Sequence, residues 1–356
     1  MRKRVIFLLV ILVMFMGAGC NGKNSDIKAN IFDIDEAVKI SDSYMKELSL
    51  CNMSETKKLT DDKIRDDREF EKLKENKISG YIRKSITEST NHAYINYEVI
   101  RGNDEKLRSD LDTISIKVTQ KDNNYVIDEI KAKNNKQVYV DKTFLRIRDD
   151  KSGKSEVLTR LKDLPREVYP KKQGVILGKE AVPEGQFNKV AIGFEGNKVG
   201  MTTTDGKKNF IAIAMVEDSK QTIGSAGGEE GSSDSEEDID KQIDDALEKP
   251  IADKIVGYDI IDNSVIEKLV FSSDDGELLV QLRQGEECSK IKVYKNPTGE
   301  LLKLDLDKLF PEDKYDCTIS RINNDGVFID ASAITDEREA EGQYKIDIKA
   351  MKVDKL

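Results

Sequence analysis

The chain has 356 residues, of which 38% are hydrophobic and 35% are charged. This hydrophobic fraction excludes a wholly disordered chain, and the length is enough for two or three domains of about 100–200 residues each. The net charge of −10 argues against a general affinity for nucleic acid, so no nucleic-acid partner is expected.

The first twenty residues have the pattern of an exported precursor. A basic stretch, Arg2–Arg4, precedes an uninterrupted apolar run, Val5–Met16, and small residues then lead to Cys20. The apolar run makes about 18 Å of helix, which is short of the ~30 Å hydrocarbon core that a true membrane span crosses. The pattern therefore predicts a signal peptide over residues 1–20.

The ending Ala18-Gly19-Cys20 resembles the lipobox of bacterial lipoproteins of the Firmicutes or clostridial type. The resemblance implies a diacylglycerol on the Cys20 thiol, cleavage between Gly19 and Cys20, and an acyl chain such as palmitate on the new amino group of Cys20. This anchor would hold the protein at the extracytoplasmic face of the cell membrane, where several acyl chains make anchoring stable. Gly17 stands where the family usually has Leu, and an ordinary secretory signal that ends by chance near a cysteine is the alternative.

Residues 21–34 begin with a small, polar stretch and are predicted to form a tether. A helix follows over Asp35–Leu50, because its apolar residues recur every three or four positions. A second, highly charged helix is predicted over Lys57–Lys77. The period then changes to two, which predicts antiparallel strands over Ile78–Ile86, Ala93–Ile100, Ile114–Thr119 and Tyr125–Lys131.

This order of elements predicts an α+β domain over residues 35–135. Together with the closing strand Tyr125–Lys131, it resembles the NTF2-like cone fold, in which a curved antiparallel sheet wraps a helix and leaves a pocket. On that resemblance, the pocket would be lined by Tyr81, Tyr94, Tyr97 and Tyr125. Core packing of these rings in alternating strands is the alternative.

The chain from residue 136 on is predicted to be mostly β, in two blade-like regions, 136–222 and 251–356. Similar units of three strands begin at Lys189 and Lys268, and the turn Phe271–Gly276 resembles the hairpin turn of WD40 and TolB propeller blades. In that turn Asp and Gly close a hairpin between buried strands. A third, degenerate unit begins at Thr318. Because a closed propeller needs about four blades, an incomplete propeller or sandwich-like stack and a closed ring both stay open.

Residues 223–250 are predicted to be a disordered linker rich in Gly, Ser and acidic residues. The stretch Glu229–Glu248 has ten acidic residues and one basic residue, Lys241, so the acidity of the chain is concentrated in a linker. The alternating carboxylates from Asp234 to Asp240 offer calcium ligands, but the glycine and closing glutamate of an EF-hand loop are missing. A solvated linker is therefore the preferred interpretation, and no metal site is predicted.

The sequence supplies little catalytic chemistry. His92 is the only histidine, so any Ser-His-Asp or Cys-His set would have to use it. The remaining cysteines, Cys51, Cys288 and Cys317, are expected to be buried thiols, with a disulfide between Cys288 and Cys317 as the alternative. No catalytic residue, metal or cofactor is predicted.

These observations favour a non-enzymatic binding, assembly or sensing lipoprotein of the cell envelope. Its expected partners are the membrane, through the lipid on Cys20, and other envelope proteins. The alternative is an enzyme or small-ligand receptor that uses the pocket of residues 35–135.

Overall fold

A computed structural model describes most of the chain. Its described residues are 32–65, 76–121, 124–151, 153–170, 178–183, 185–216, 248–284 and 288–356. Residues Ile34–Leu356 belong to one compact unit. The signal peptide, the lipid site at Gly19 and Cys20 and most of the acidic linker lie outside the described residues, so these predictions stay predictions.

Three helices open the compact unit: α1 (Ile34–Ser49), α2 (Met53–Lys58) and α3 (Asp62–Arg65). Helix α1 has acidic residues in its first turn and Lys46 in its last turn, which suits the helix dipole. Its predicted extent is confirmed. The helix predicted over Lys57–Lys77 is wrong at its two described ends, because Thr60 leaves the helix to bridge Ile127 and β1 already begins at Lys77. Residues 66–75 of this prediction lie outside the described residues.

Six consecutive antiparallel strands form sheet 1. They are β1 (Lys77–Glu88), β2 (His92–Asn103), β3 (Arg108–Lys121), β4 (Asn124–Asp141), β5 (Phe144–Asp149) and β6 (Ser155–Arg160). The predicted alternation is confirmed in β2, where Ala93, Ile95, Tyr97 and Val99 are buried and the residues between them are not. Helix α1 contacts β1 to β4.

A short two-stranded sheet, β7 (Glu167–Val168) and β8 (Glu180–Ala181), follows a 3-10 turn at Leu161–Asp163. Sheet 2 then has four strands. They are β9 (Gln186–Ile192), β10 (Lys198–Thr204), β11 (Lys208–Met215) and β12 (Lys254–Asp262).

Sheets 3 and 4 repeat this four-stranded antiparallel pattern. Sheet 3 consists of β13 (Ser264–Phe271), β14 (Glu277–Gln284), β15 (Ser289–Lys295) and β16 (Glu300–Leu301). After helix α4 (Leu306–Leu309), sheet 4 consists of β17 (Tyr315–Asn323), β18 (Gly326–Ala333), β19 (Gly342–Asp347) and β20 (Lys352–Lys355). The predicted blade-like character of the C-terminal region is confirmed, and the unit at Thr318 is a full four-stranded sheet.

The four larger sheets, sheets 1 to 4, contact one another in a closed cycle. Sheet 1 contacts sheet 2 through β3, β4 and β9, and sheet 2 contacts sheet 3 through β9 and β13. Sheet 3 contacts sheet 4 through β15 and β17, which in turn contacts β1 of sheet 1. One cluster of buried apolar residues includes members of all four sheets, among them Ile82, Ile192, Leu279 and Ile319. The ring therefore has the N-terminal sheet as its fourth member.

This closure bears on the predicted domain boundaries. Strand β4 runs through residue 135 without a break. Across the acidic segment, Met215 of β11 pairs with Lys254 of β12 in one sheet. The boundaries predicted at 135/136 and around 223–250 therefore divide strands and sheets that the structure keeps together. Alternating hydrophobicity locates strands, but it does not specify which strands pair.

Candidate functional site

A cleft of about 570 Å³ lies where the ring closes. Helix α1, strand β1 and the hairpin β17–β18 border it, together with Leu356. We refer to it as the α1–hairpin cleft. Its lining side chains include Asp35, Lys39, Asp42, Lys46, Tyr81, Arg83, Arg321, Asn323, Asn324, Asp325 and Phe328.

Asp42 is the polar centre of the helix side. Its Oδ1 lies 2.7 Å from the Tyr97 hydroxyl, and its Oδ2 pairs with the Arg83 guanidinium. Ser41 Oγ lies 2.9 Å from the same hydroxyl and donates to its oxygen, because the single phenol proton is directed at Asp42. Burial, followed by the negative charge of Asp42, raises the pKa of Tyr97, so the phenol stays a hydrogen-bond donor at neutral pH.

Arg321 is the most unusual residue of the hairpin side. Its residue exposure is only 7%, and its guanidinium lies 3.8 Å from the centre of the Phe328 ring. Nε has no hydrogen-bond partner among the described residues. A buried cation without a carboxylate partner is costly, so this arrangement requires an explanation.

Two further groups connect the sides of the cleft. Asn324 accepts a hydrogen bond from Arg83 N at 2.6 Å and donates to Arg83 O at 3.3 Å, as a neighbouring strand would. Burial raises the pKa of Tyr81, opposed by a hydrogen bond with Asn323 and by the charge of Arg321. Both groups join β1 directly to the hairpin.

The four predicted pocket tyrosines do not come together. Tyr81 and Tyr97 meet edge to face, with ring centres 6.2 Å apart, and Tyr81 lines the cleft. Tyr94 lies on the other face of β2, where its ring contacts His92 at 5.3 Å. Tyr125 is half-buried and pairs with Gln120 at the beginning of β4.

The lining of the cleft contains no histidine or cysteine. His92 is at the start of β2, with Nδ1 3.0 Å from Asn91 Oδ1. A search of the described residues finds no group of three or more His, Cys, Asp or Glu side chains suited to a metal ion. The polar side chains of the described lining include those of charged residues, such as Arg321 and Asp42, and of the hairpin amides Asn323 and Asn324.

The cysteines of the described residues are free thiols. Cys288 and Cys317 are buried, as expected, and burial raises the pKa of Cys317 to about 12. Cys51 is exposed, which differs from the expectation, because it follows the end of α1 in a turn with φ at 56°.

Sequence reasoning missed Arg321, although a signal for it was present. Tyr315, Cys317, Ile319 and Arg321 alternate with less buried residues along β17. A register shift between Ile319 and Arg321 places Arg321 opposite Phe328, whereas Ile319 and Ile322 are opposite the core residues Ile329 and Val327. A charged residue at a position where alternation predicts an apolar one breaks the binary pattern, and breaks of this kind are expected at functional sites.

Comparison with known proteins gives fold similarity alone. No protein-family model matches the chain. No curated protein matches it. Within the described residues, no helix combines the length and the apolar character needed to cross a membrane.

Several solved β-propellers resemble the chain at low similarity. TolB from Acinetobacter baumannii is 10% identical, with a TM-score of 0.31, over 82% of this chain and 71% of that one. The propeller domain of Cps50 (Swd1) from Myceliophteria thermophila is 7% identical, with a TM-score of 0.29, over 72% and 80%. The propeller domain of the Trilobed protease from Pyrococcus furiosus, described as having an open velcro topology, is 9% identical, with a TM-score of 0.24, over 79% and 84%. Similarity at this level identifies neither an activity nor a partner.

Proposed function

We propose that this protein is a non-enzymatic binding lipoprotein of the bacterial cell envelope and that the α1–hairpin cleft is its binding site. The observation that carries the binding role is the cleft itself, which has a volume of about 570 Å³ and buries Arg321 in its lining. Cavities of roughly 300–1,000 Å³ with a few convergent polar groups are typical ligand sites. Binding here can serve envelope assembly or sensing.

The anchoring part of the proposal is supported by the sequence around Cys20. Cys20→Ala removes the thiol that would receive the lipid, so we expect an uncut or released protein in place of a membrane-bound one. Cell fractionation with detection of the mature protein's mass measures this. Cys51→Ala is the matched control, because Cys51 is exposed and free. A membrane-bound fraction and a mature mass that are both unchanged for Cys20→Ala would exclude lipid anchoring at this residue.

We also propose that α1 and β1–β4 form a divergent NTF2-like cone. Support comes from the way α1 lies on four consecutive antiparallel strands and buries Ala37, Tyr44, Met45 and Leu48 against them. In this chain the hairpin β17–β18 also borders the α1–hairpin cleft. The cone alone would therefore leave the cleft open on one side.

The binding role is tested by photo-crosslinking in native membranes. A photoreactive amino acid replaces Ser43, which lines the cleft, and in a matched control replaces Ser332, an exposed residue of β18. We expect one reproducible adduct at position 43 and none at position 332. The mass of the adduct distinguishes a small molecule from a protein. Equal labelling at both positions, or no adduct at position 43, would exclude the cleft as the binding site.

A further inference from the structure

The chemistry of the ligand follows from Arg321, on the premise that the α1–hairpin cleft is the binding site proposed above. Among the described residues, Arg321 makes no ion pair, and its Nε is both buried and without a hydrogen-bond partner. Arg101, with the same 7% exposure, also has a buried Nε without a hydrogen-bond partner, but this atom is in an ion pair, 3.0 Å from Asp112 Oδ2. The fold therefore places a carboxylate beside one buried arginine and none beside the other.

The carboxylates that share the cleft are engaged elsewhere. Asp42 pairs with Arg83 and the Tyr97 hydroxyl, and Asp325 Oδ2 lies 3.4 Å from Asn323 Nδ2. Asp35 also has an interaction partner. Arg321 thus keeps its positive charge inside a cleft whose acidic groups do not neutralise it.

Stacking fixes the plane of the Arg321 guanidinium over Phe328. A planar guanidinium presents parallel N–H donors that match the two oxygens of a carboxylate. Apart from Arg321, the lining has three acidic side chains, of Asp35, Asp42 and Asp325, and three basic ones, of Lys39, Lys46 and Arg83. Charges of both signs in one cleft favour a ligand that carries both a negative and a positive group over a ligand with several charges of one sign.

We propose that the cleft binds a small zwitterion, an amino acid or short peptide, whose carboxylate is held by Arg321. Its ammonium group lies toward the aspartates of the cleft. Arg321 then acquires in the complex the carboxylate partner that the fold does not provide. The volume of about 570 Å³ accommodates a ligand of this size.

Isothermal titration calorimetry on the full chain tests this proposal. The probes are the twenty common L-amino acids and L-alanyl dipeptides, each as the free acid and as the C-terminal amide. We expect at least one free acid to bind, and we expect the amide to bind about tenfold to a hundredfold more weakly, as loss of a charged hydrogen-bonded pair predicts.

The variant Arg321→Gln separates a direct contact from an indirect effect. In this variant, the affinity for the free acid should fall by the same tenfold to hundredfold factor. The free acid and the amide should then bind with equal affinity. Arg338→Gln is the matched control, since the Arg338 side chain is 76% exposed and lies outside the cleft. Circular dichroism shows whether each variant is folded, and Arg321→Lys, which keeps the charge and loses the planar fork, should fall between wild type and Arg321→Gln.

Three results would overturn the proposal: binding of acid and amide with equal affinity, a Kd for the free acid that Arg321→Gln leaves unchanged, or no binding by any member of the panel. The fate of the broader binding role is decided separately. An adduct at position 43 from native membranes, together with a silent panel, would refute the zwitterion and leave the cleft as a binding site. If there is neither an adduct at position 43 nor binding by any member of the panel, the zwitterion and the binding role of the cleft are both refuted.

Discussion

Two junctions of the ring are built on opposite principles. Between sheets 2 and 3, the buried carboxylate of Asp275 accepts hydrogen bonds from Phe194 N at 2.7 Å and Glu195 N at 2.9 Å. A Cβ at position 193 would lie 2.5 Å from this carboxylate, so Gly193 is needed for the close approach. An apolar cluster surrounds the junction and includes Ile211, Ile213, Phe271, Leu278 and Val280.

Between sheets 4 and 1, the exposed side chain of Asn324 bonds to the main chain of Arg83 beside the apolar contact of β17 with β1. The α1–hairpin cleft lies next to this junction. Here the buried charge, Arg321, has no carboxylate partner among the described residues. At the first junction the buried Asp275 carboxylate accepts two main-chain hydrogen bonds, as stability requires of a buried polar group. The second junction departs from that rule, and such departures are expected where a protein binds something. On the binding role proposed above, the first junction serves stability and the second serves recognition.

The largest effect should come from Asp275→Ala. The substitution leaves the buried Phe194 N–H and the part-buried Glu195 N–H without an acceptor. It also places alanine at a φ of 54°, where a side chain is strained. We expect a loss of about 3–5 kcal/mol in the free energy of unfolding, measured by urea denaturation. Asp336→Ala, at an exposed position, is the control and should change stability by less than about 0.5 kcal/mol. A similar small effect at both positions would show that this junction is not stabilised by its buried carboxylate.

A pH-dependent effect of intermediate size should come from Lys268, at the junction of sheets 3 and 4. Its Nζ donates to Ile319 O at 2.8 Å, and burial lowers its pKa from 10.5 to about 8. The folded state therefore binds fewer protons than the unfolded state between these values, so stability rises with pH across that window and the cost is fully present below pH 8.

The test compares wild type with Lys268→Met, which cannot titrate. The stability of the wild type relative to the variant should increase by about 1–3 kcal/mol between pH 7.5 and pH 10.5. Urea denaturation at both pH values measures this difference, and the comparison cancels the other groups that titrate. A constant difference across the window would show that Lys268 keeps its ordinary pKa in the fold.

A smaller effect should come from Asn324→Ala at the junction of sheets 4 and 1. It removes two hydrogen bonds to the main chain of Arg83, but water can replace them because Asn324 is exposed. We expect a loss of about 0.5–1.5 kcal/mol. Ser332→Ala is the control, because Ser332 is an exposed residue of β18 in the same sheet. A loss as large as that of Asp275→Ala would contradict the contrast between the two junctions.

The sequence predicted what depends on neighbours along the chain. Alternation located β2 and β3, and the Phe271–Gly276 turn indicated blades, because both patterns follow from pleating and from turn geometry. The cleft escaped prediction because its parts are distant in sequence. Asn324 and Arg83 are 241 positions apart, and they meet only when the last sheet returns to the first.

The two blade-like regions also illustrate this limit. Composition separated them at the acidic segment, yet β11 and β12 pair across it. A polar insertion and a domain boundary have the same composition, since both lack the apolar residues needed for a core. Pairing between the flanking strands distinguishes them, and it depends on contacts that local patterns do not encode.

The smallest effect on stability should come from Arg321→Met, and this substitution should stabilise the fold or leave it unchanged where the others destabilise it. Arg321→Met removes a buried, unpaired charge and keeps an apolar side chain against Phe328. Replacement of a buried ionic group by a hydrophobic one is often neutral or stabilising, so we expect a change of about 0 to +1 kcal/mol without ligand. Urea denaturation measures this change. Arg101→Met is the matched control, because it should cost about 3–5 kcal/mol by leaving Asp112 without its cation.

Equal losses of stability in both variants would mean that Arg321 stabilises the ring as Arg101 does. The contrast between a junction for stability and one for recognition would then fail. A neutral or stabilising Arg321→Met would instead show that the fold tolerates this charge at a cost, as expected for a residue whose partner is a ligand.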